Sequence, residues 1–158
     1  MNDHLMTPLD ASLYALTIAI QPARRAWIQA AGAALASSGL SVSLATIVVL
    51  VARLGPGVQQ KTLATEAGVN PAALVRTLDQ GEAAGLLARR DIPDNRRIKV
   101  VDLLPEGQTL ARKMEESLAQ LRKTVLQGIP VQEIETTARV LRLLEAGALA
   151  HVKDERQG

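Results

Sequence analysis

A cluster of basic residues lies near the middle of this 158-residue chain. The stretch ARRDIPDNRRIKV, Ala88–Val100, holds five of the 18 lysines and arginines, together with one proline and two aspartates. Guanidinium groups bind phosphates and carboxylates through charge-assisted hydrogen bonds, often two at a time. The stretch is therefore either a solvated turn, as most charged runs are, or a surface that binds an anion. The structural elements predicted on either side of the stretch distinguish between these two interpretations.

Groups that could carry out catalysis or bind a metal are scarce. Cysteine is absent, which excludes disulfides, thiolate zinc sites and thiol redox chemistry. The two histidines, His4 and His151, stand near opposite ends of the chain, and we expect neither to have a carboxylate at ligand spacing. The acids near the C-terminus are interleaved with lysine and arginine, which is typical of a solvated helix face. The sequence thus predicts a protein that is not an enzyme, with no metal site and no cofactor.

The composition favours one helical unit of modest size. Hydrophobic residues make up 47% of the chain, but phenylalanine is absent and Tyr14 and Trp27 are the only aromatic residues. Leucine, valine, isoleucine and alanine must then fill the core, which favours closely packed helices. The net charge is only +2, yet residues 55–100 hold seven bases against five acids and are the most basic part of the chain.

The apolar segments are short. The longest, Leu44–Ala52, is about half as long as a bilayer span requires, and no basic-then-apolar segment opens the chain. We therefore expect neither a secretory leader nor a membrane span. The absence of cysteine favours a reducing cytoplasm.

The first two helices are predicted from caps and apolar spacing. Thr7 can cap a helix that begins at Pro8 and carries Asp10 in its first turn. Pro22 lies inside this helix, so we expect a kink there, or a break into two helices at Gln21. A second, almost wholly apolar helix is predicted over Val42–Leu54. The first helix has an apolar seam with alternating steps of three and four, formed by Leu13, Leu16, Ile20, Ala23, Trp27, Ala30 and Ala34.

The middle of the chain predicts a helix-turn-helix. A short helix over Gln59–Ala67 stops at Gly68, and Asn70 caps the next helix, which runs to about Ala84. Glycine takes the positive φ of such a turn, and a small residue such as Ala64 lets the two helices approach closely. The strands predicted next, Leu86–Arg90 and Ile98–Leu103, are joined by the turn residues DIPDN.

Two further helices close the chain. One carries Leu110, Met114, Leu118, Leu121 and Val125, and the other covers about Val131–Ala150, with only the last residues frayed. The face of the last helix is formed by Ile134, Ala138, Leu141, Leu144 and Ala148. The helices at the two ends carry more apolar surface than the small middle can cover, so a second copy of the chain is the natural partner.

A helix-turn-helix followed by a basic two-stranded hairpin is a winged helix, and the sequence here resembles the MarR family of bacterial transcriptional regulators. The motifs that carry this resemblance are LGPGVQQKTLA, LVRTLDQGEAAGLLARR, P-D-N-R-R and L-L-P-E-G, between about positions 39 and 107. The fold class expected is mainly α with a small β-hairpin wing. We divide it into an N-terminal dimerisation helix at 1–40, a winged helix-turn-helix at 41–104, and C-terminal dimerisation helices at 105–158.

The resemblance implies a homodimer that presents two winged domains to successive major grooves of a pseudo-palindromic DNA operator. We expect a repressor that blocks a promoter by occupancy. Family members are often released from DNA by small phenolic or anionic compounds, which implies an effector site between the dimerisation and DNA-binding parts.

The site residues follow from this placement. Small residues at the start of the second helix would let it enter the major groove, where Arg76 could meet guanine or phosphate. The major-groove set is Pro71, Ala72, Ala73, Arg76 and Thr77, and the wing set, with Arg97 at the minor groove, is Asn95, Arg96 and Arg97. The expected phosphate contacts are Lys61, Thr62, Gln80, Arg89 and Lys99. The expected effector contacts are Arg24, Arg25 and Trp27, although Trp27 as dimer core and the arginines as plain surface is the simpler alternative.

Three positions depart from the family pattern. Asn95 stands where the family has an aspartate that orients the wing arginine, although Asp94 next to it could substitute. Leu104 replaces a threonine before the fifth helix and cannot cap that helix with a side chain. Gly81 replaces a large apolar residue, so we expect weaker helix propensity and lost packing in the recognition helix.

Two alternatives to the regulator remain at this stage. The modest charge and the departures at Gly81 and Asn95 also fit a winged helix used as a protein-interaction or assembly module. Such a module would show no salt-sensitive binding to duplex DNA. A small helical enzyme or carrier would instead require a bound cofactor.

Overall fold

The computed structural model describes residues 7–93 and 95–156, apart from the side chain of Arg96. His4 and Asp94 therefore lie outside the described residues. Within them the chain divides into two compact units, one up to Leu121 and one from Arg122. The elements, with a single 3₁₀ turn at Ala36–Ser38, are α1 Pro8–Leu35, α2 Val42–Leu54, β1 Val58–Gln59, α3 Gln60–Ala67, α4 Pro71–Ala83, β2 Leu87–Ile92, β3 Asn95–Leu103, α5 Pro105–Val125 and α6 Val131–Glu155.

Helix α1 begins at a capping box. The hydroxyl of Thr7 accepts a hydrogen bond from the backbone N–H of Asp10 at 3.1 Å, and the Asp10 carboxylate accepts one from the Thr7 N–H at 3.1 Å. The hydrogen bonds from Thr7 also hold the pKa of Asp10 below its ordinary value. The helix continues through Pro22 without a break, so the alternative break at Gln21 is wrong. Of its residues, only Leu35 is buried.

Helix α2 is the centre of the core. One of its faces packs in a cluster with α5, to which α5 contributes Ala111, Met114 and Leu118. Another face packs in a second cluster with the helix-turn-helix and the sheet. Because both faces are covered, α2 has to be apolar nearly all round, as its sequence predicted.

The sheet has three antiparallel strands in the order β1-β3-β2. The β2–β3 hairpin was predicted, but β1 was not. Val58 and Gln59 of β1 pair with Val101 and Val100 of β3. The extra strand covers the inner edge of the hairpin and ties the segment before α3 to the wing.

The helix-turn-helix forms as predicted. Gly68 has a φ of 66°, and Val69 N–H donates to the Ala64 carbonyl at 3.1 Å across the turn. The Asn70 side chain accepts from Ala73 N–H at 2.8 Å and caps α4. The buried residues that lock α3 and α4 together are Leu63, Ala64, Leu74 and Leu78.

Gly81 lies in a buried contact between α4, α2 and the sheet. A Cβ at this position would stand 2.8 Å from Cγ of Leu87 and 3.1 Å from Cδ1 of Leu44. The leucines thus occupy the space that a larger residue would fill. The expectation that Gly81 costs packing is therefore wrong, because the glycine allows closer packing of α4.

The start of α5 depends on another glycine. The Leu104 N–H donates to the Leu86 carbonyl, and the Leu104 carbonyl accepts from Gln108 N–H, both at 2.9 Å. A Cβ on Gly107 would overlap the Leu86 carbonyl oxygen. Backbone contacts therefore fix this helix start, where Leu104 has no side-chain cap to offer.

Helix α6 has no buried residue along its 25 residues. It extends five residues past the predicted end at Ala150, to Glu155, through the first half of the segment expected to fray. His151 Nε2 lies 3.4 Å from a carboxylate oxygen of Glu155, so the expectation that this histidine has no nearby carboxylate is wrong. The contact is exposed and joins neighbouring turns of one helix.

No single helix in the described ranges is long and apolar enough to cross a membrane. The segments Pro8–Ser38 and Val42–Leu54 satisfy the length and composition criteria only when they are joined across a 92° bend.

Candidate nucleic-acid interface

The outer face of α4 combines small and basic residues. Because Leu74 and Leu78 face the core, Pro71, Ala72 and Arg76 are exposed, and Gln80 continues the stripe. The sequence analysis placed Ala73 and Thr77 in the same major-groove set, but the structure places them on another side of α4. They are half-buried and line a cavity next to Trp27 of α1.

A groove between the helix-turn-helix and the wing brings distant residues together. It has a volume of about 520 Å³ and lies between α3, the start of α4 and strand β3. Lys61 and Thr65 of α3 line it together with Pro71 of α4 and Arg97 and Lys99 of the wing. The structure thus places Lys61 and Arg97, which are 36 positions apart, on one concave surface. Thr62 is exposed on the same short helix.

The cations around this groove differ in whether they have a carboxylate partner. Lys99 forms an ion pair with Asp91 across the hairpin. Among the described residues, Lys61, Arg76 and Arg97 form no such pair. Lys61 and Arg97 line the groove, whereas Arg76 lies on the exposed outer face of α4, so α3, α4 and the wing each present such a cation.

Arg89 is held by two carboxylates of α4. Its guanidinium lies 2.5 Å from Asp79 and 2.5 Å from Glu82, and its backbone N–H donates to Glu82 at 2.8 Å. The hydrogen bond with Glu82 raises the pKa of Arg89 above its ordinary value, and the same bond lowers the pKa of Glu82. Arg89 therefore joins the wing to α4, and the predicted phosphate contact would require these ion pairs to open.

The wing tip contains an irregular register. Asp91 pairs with Lys99, and the next residue of β2, Ile92, pairs with Asn95. Strand β3 therefore has three additional residues, 96–98, between two paired positions that are adjacent on β2. This bulge leaves Arg97 outside the regular ladder. The Asn95 side chain accepts from the Arg97 backbone N–H at 3.3 Å. Asn95 thus contacts the backbone of Arg97, whereas the sequence analysis considered whether a residue at this position orients the Arg97 guanidinium.

Asp102 links the base of the wing to the loop before β1, and the sequence analysis did not identify it. Its carboxylate accepts from Gly57 N–H at 2.6 Å and from Arg90 Nε at 2.6 Å. Gly57 has a φ of 70°, and a Cβ there would stand 3.1 Å from an Arg90 nitrogen. Arg90 lies diagonally across the ladder from Asp102, which pairs with Ala88, and this diagonal pair was the available signal, but no pattern in the sequence indicated the contact with Gly57.

A cavity of about 340 Å³ lies between α1, α2 and the helix-turn-helix. Its walls are mainly apolar, with Trp27 and Ile28 on one side and Ala67 and Val69 of the turn on another. The Arg24 guanidinium lies 3.8 Å from the position of a Cβ on Gly68, which places Arg24 over the turn at the cavity edge. Arg25 is exposed on α1. Of the three predicted effector residues, only Trp27 is a wall residue.

Within the described residues, no group of three or more histidine or acidic side chains is arranged to hold a metal ion.

The central segment of the chain is similar to a known protein family. The MarR family model matches residues 40–99, the segment that runs from α2 to the wing. This part of the chain is therefore similar to MarR-family proteins.

Solved structures share the fold of this chain over most of its length. The transcriptional regulator PA3341 is 29% identical, with a TM-score of 0.79 over 85% of this chain and 98% of the other. CouR from Rhodococcus jostii RHA1 bound to p-coumaroyl-CoA is 23% identical, with a TM-score of 0.68 over 79% and 87% of the two chains. FabT from Streptococcus pneumoniae in complex with DNA is 17% identical, with a TM-score of 0.56 over 70% and 77%.

Proposed function

We propose that this chain is a MarR-family transcriptional regulator, a homodimeric, cytoplasmic repressor that occupies a pseudo-palindromic operator and is released by a small phenolic or anionic ligand. The observation that carries the DNA-binding geometry is a set of three cations that form no ion pair within the described residues, Lys61 on α3, Arg76 on α4 and Arg97 on the wing. The functional segments remain 1–40, 41–104 and 105–158.

Helix α4 reads the major groove. Pro71 and Ala72 are small and exposed at its start, so the helix end can approach base edges closely. Arg76, one turn further, donates to guanine or to a phosphate. Ala73 and Thr77 support this helix from the cavity side, and Thr77 can reach the groove only at its edge.

The wing enters or straddles the minor groove. Arg97 extends from the bulge of β3, and the contact between Asn95 and its backbone restricts the conformation of the tip. A narrow minor groove concentrates negative potential and favours arginine at this depth. Arg96 stands next to Arg97 in sequence and is assigned to the same groove.

Phosphate contacts set the affinity. Lys61, Thr62 and Gln80 are exposed around the groove and the outer face of α4. Lys99 binds a phosphate after its ion pair with Asp91 opens. Arg89 would have to break two ion pairs, with Asp79 and Glu82, so it contributes least to the DNA affinity. FabT, which shares this fold, was solved in complex with DNA.

Dimerisation covers the apolar surfaces at the two ends of the chain. Large hydrophobic side chains of α1, including Leu13 and Ile18, are more than half exposed, and no residue of α6 is fully buried. Helices of this length and composition gain their stability from packing against another surface. A second copy of the chain provides that surface.

The ligand enters the cavity that has Trp27 in its wall. The apolar lining suits an aromatic or acyl body, and Arg24 at its edge can receive an anionic group. Alanines and a valine of the helix-turn-helix also line this cavity, so a ligand there can shift α3 and α4 relative to α1. CouR, which shares the fold, was solved with p-coumaroyl-CoA.

Selection of binding sites from a random duplex pool tests the function. We expect an enriched palindrome with half-sites about ten base pairs apart, as two-fold symmetric winged helices require. Binding to that site should fall steeply with salt, because each phosphate contact releases a counterion. If no site is enriched and duplex binding is insensitive to salt, the chain is a protein-interaction module and the proposal is wrong.

A further inference from the structure

Two of the acids that pair with cations of the β2–β3 hairpin also connect separate elements. Glu82 lies on α4 and accepts from both the side chain and the backbone N–H of Arg89, so it joins α4 to β2. Asp102 lies on β3 and accepts from Arg90 and from the Gly57 N–H, so it holds the loop before β1. Each of these carboxylates therefore has a structural role within the fold.

Asp91 has no such second contact. It lies on β2 directly opposite Lys99 of β3, and its carboxylate accepts a hydrogen bond from the Lys99 ammonium. Among the described residues, Lys99 is the only side-chain partner of Asp91. The side chains of Lys99 and Asp91 are 50% and 45% exposed, and an exposed pair within one hairpin adds little to the stability of the fold. The fold alone therefore does not account for the carboxylate at position 91.

The pair of Asp91 and Lys99 lies beside the groove between the helix-turn-helix and the wing. Lys99 lines this groove together with Lys61 and Arg97, and it also lines a second depression to which Asp91 contributes. Of the described residues that line either depression, Asp91 is the only acid. A phosphate that approaches Lys99 therefore meets the negative charge of Asp91.

A paired lysine and a free lysine contribute differently to DNA binding. A free lysine that binds a phosphate releases a counterion from the DNA. When Lys99 leaves Asp91 to bind a phosphate, the carboxylate that remains attracts a cation from solution, so the net release of ions is small. Lys99 then adds little to the affinity or to its salt dependence, whereas the same lysine without Asp91 would add a full phosphate contact.

We propose that Asp91 limits the affinity of the wing for duplex DNA by masking the charge of Lys99. Phosphate contacts carry no sequence information, so Asp91 lowers the sequence-independent part of the binding free energy. The base contacts of α4 then account for a larger share of the operator affinity. This inference rests on the proposed DNA-binding function, and it concerns a residue to which that function assigns no contact with DNA.

Asp91→Asn tests the proposal, because the amide has nearly the size of the carboxylate but no charge. Fluorescence anisotropy of the full chain with a labelled operator, and with an unrelated duplex of the same length, measures the affinity at several salt concentrations. For each wing that contacts the duplex, Asp91→Asn should raise the affinity for both DNAs about two- to fivefold, a gain limited by the strength of an exposed ion pair. The slope of log affinity against log salt should become steeper by about one for each wing.

Two further variants separate masking from other effects. Asp154→Asn removes the same charge from an exposed position of α6 and should bind both duplexes like the wild type. Asp91→Asn combined with Lys99→Gln should lose the gain and bind no more tightly than the wild type, because the unmasked ammonium is absent. Thermal unfolding of each variant should give the wild-type temperature within about 3 °C, since the pair is exposed.

A structural role for Asp91 predicts the opposite sign, because a distorted hairpin would weaken DNA binding. Weaker or unchanged binding by Asp91→Asn, or the same gain in the double variant or in Asp154→Asn, would overturn the proposal. If the wild type binds neither duplex in a salt-sensitive manner, the proposed regulator is wrong and the inference is wrong with it. Salt-sensitive binding by the wild type that Asp91→Asn leaves unchanged would contradict the masking alone.

Discussion

At the scale of single residues, DNA affinity depends on which cations lack a carboxylate within reach. The linear sequence shows five bases in the wing stretch, but the fold pairs Arg89, Arg90 and Lys99 with acids. An ion pair has to be opened before such a cation can serve a phosphate, which offsets much of the gain. Arg97 has no such partner among the described residues and should contribute more than its neighbours.

Arg97→Ala tests this expectation at the wing. Removal of the Arg97 guanidinium should weaken operator binding. It should also lower the slope of log affinity against log salt by about one, which is the effect of losing one contact between a cation and a phosphate. Arg25→Ala, which removes an exposed cation from α1, is the matched control and should leave both quantities unchanged. Fluorescence anisotropy of a labelled operator at several salt concentrations measures both. Equal slopes for Arg97→Ala and wild type would contradict the wing assignment.

Glu82 provides a pH-dependent test of the link between α4 and the wing. Because Arg89 lowers the folded-state pKa of Glu82, this carboxylate stabilises the fold above its ordinary pKa of about 4.5, and the contribution is lost as pH falls through the folded value. We expect Glu82→Gln to lower the free energy of unfolding by about 1 kcal/mol at pH 7, a figure that allows for solvent screening.

Urea unfolding at pH 7 and at pH 3 measures the Glu82→Gln effect. At pH 3 the difference between Glu82→Gln and wild type should shrink, because this pH lies below the ordinary pKa of the carboxylate and the stabilisation that comes from the lowered pKa decreases there. A difference of the same size at both pH values would mean that packing, and not charge, accounts for the loss.

At the scale of elements, local sequence signals predicted the helices. They did not predict the strand and the side-chain contacts that depend on pairing between distant parts of the chain. The bounds of α2 and the start of α4 follow from caps and from apolar spacing, which act within one or two turns. Strand β1 is only two residues long and is defined by its pairing with β3, some 40 positions away. The partners of Arg89 and Asp102 could not be predicted for the same reason, since they require the packed position of α4 and the wing.

Two glycines show how closely the elements approach. Gly107→Ala would place a methyl group against the Leu86 carbonyl, which is backbone and cannot move away, so α5 could not dock as it does. Gly81→Ala would meet the buried Leu87 side chain, and overpacking of about 1–3 kcal/mol should exceed the helix propensity gain of about 1 kcal/mol. Gly147 in α6 has nothing within 4 Å and is the matched control.

Thermal unfolding of the three variants should rank them by the space around each glycine. We expect Gly147→Ala to be as stable as wild type or slightly more so, Gly81→Ala to be less stable, and Gly107→Ala to be the least stable. If Gly107→Ala unfolded at the wild-type temperature, this result would contradict the close approach of α5 to the Leu86 carbonyl.

At the scale of the whole molecule, the unpartnered surfaces of α1 and α6 point to the dimer. The sequence seam on α6 contains Leu141, which is 42% exposed in the single chain. Burial of such a leucine at an interface is worth about 1.5–3 kcal/mol, and placing a charge there adds a desolvation cost. Leu141→Glu should therefore shift the protein from dimer to monomer in sedimentation experiments.

Loss of the dimer should also weaken operator binding, because the second half-site no longer binds as part of the same molecule and the avidity of two linked winged domains disappears. Affinity for the full palindrome should fall by about 100-fold or more, while affinity for an isolated half-site should stay unchanged. Thr136→Glu, which adds the same charge at an exposed position of α6 off the seam, is the control and should remain dimeric with wild-type affinity. A dimeric Leu141→Glu protein would show that the seam on α6 faces solvent and that dimerisation uses another surface.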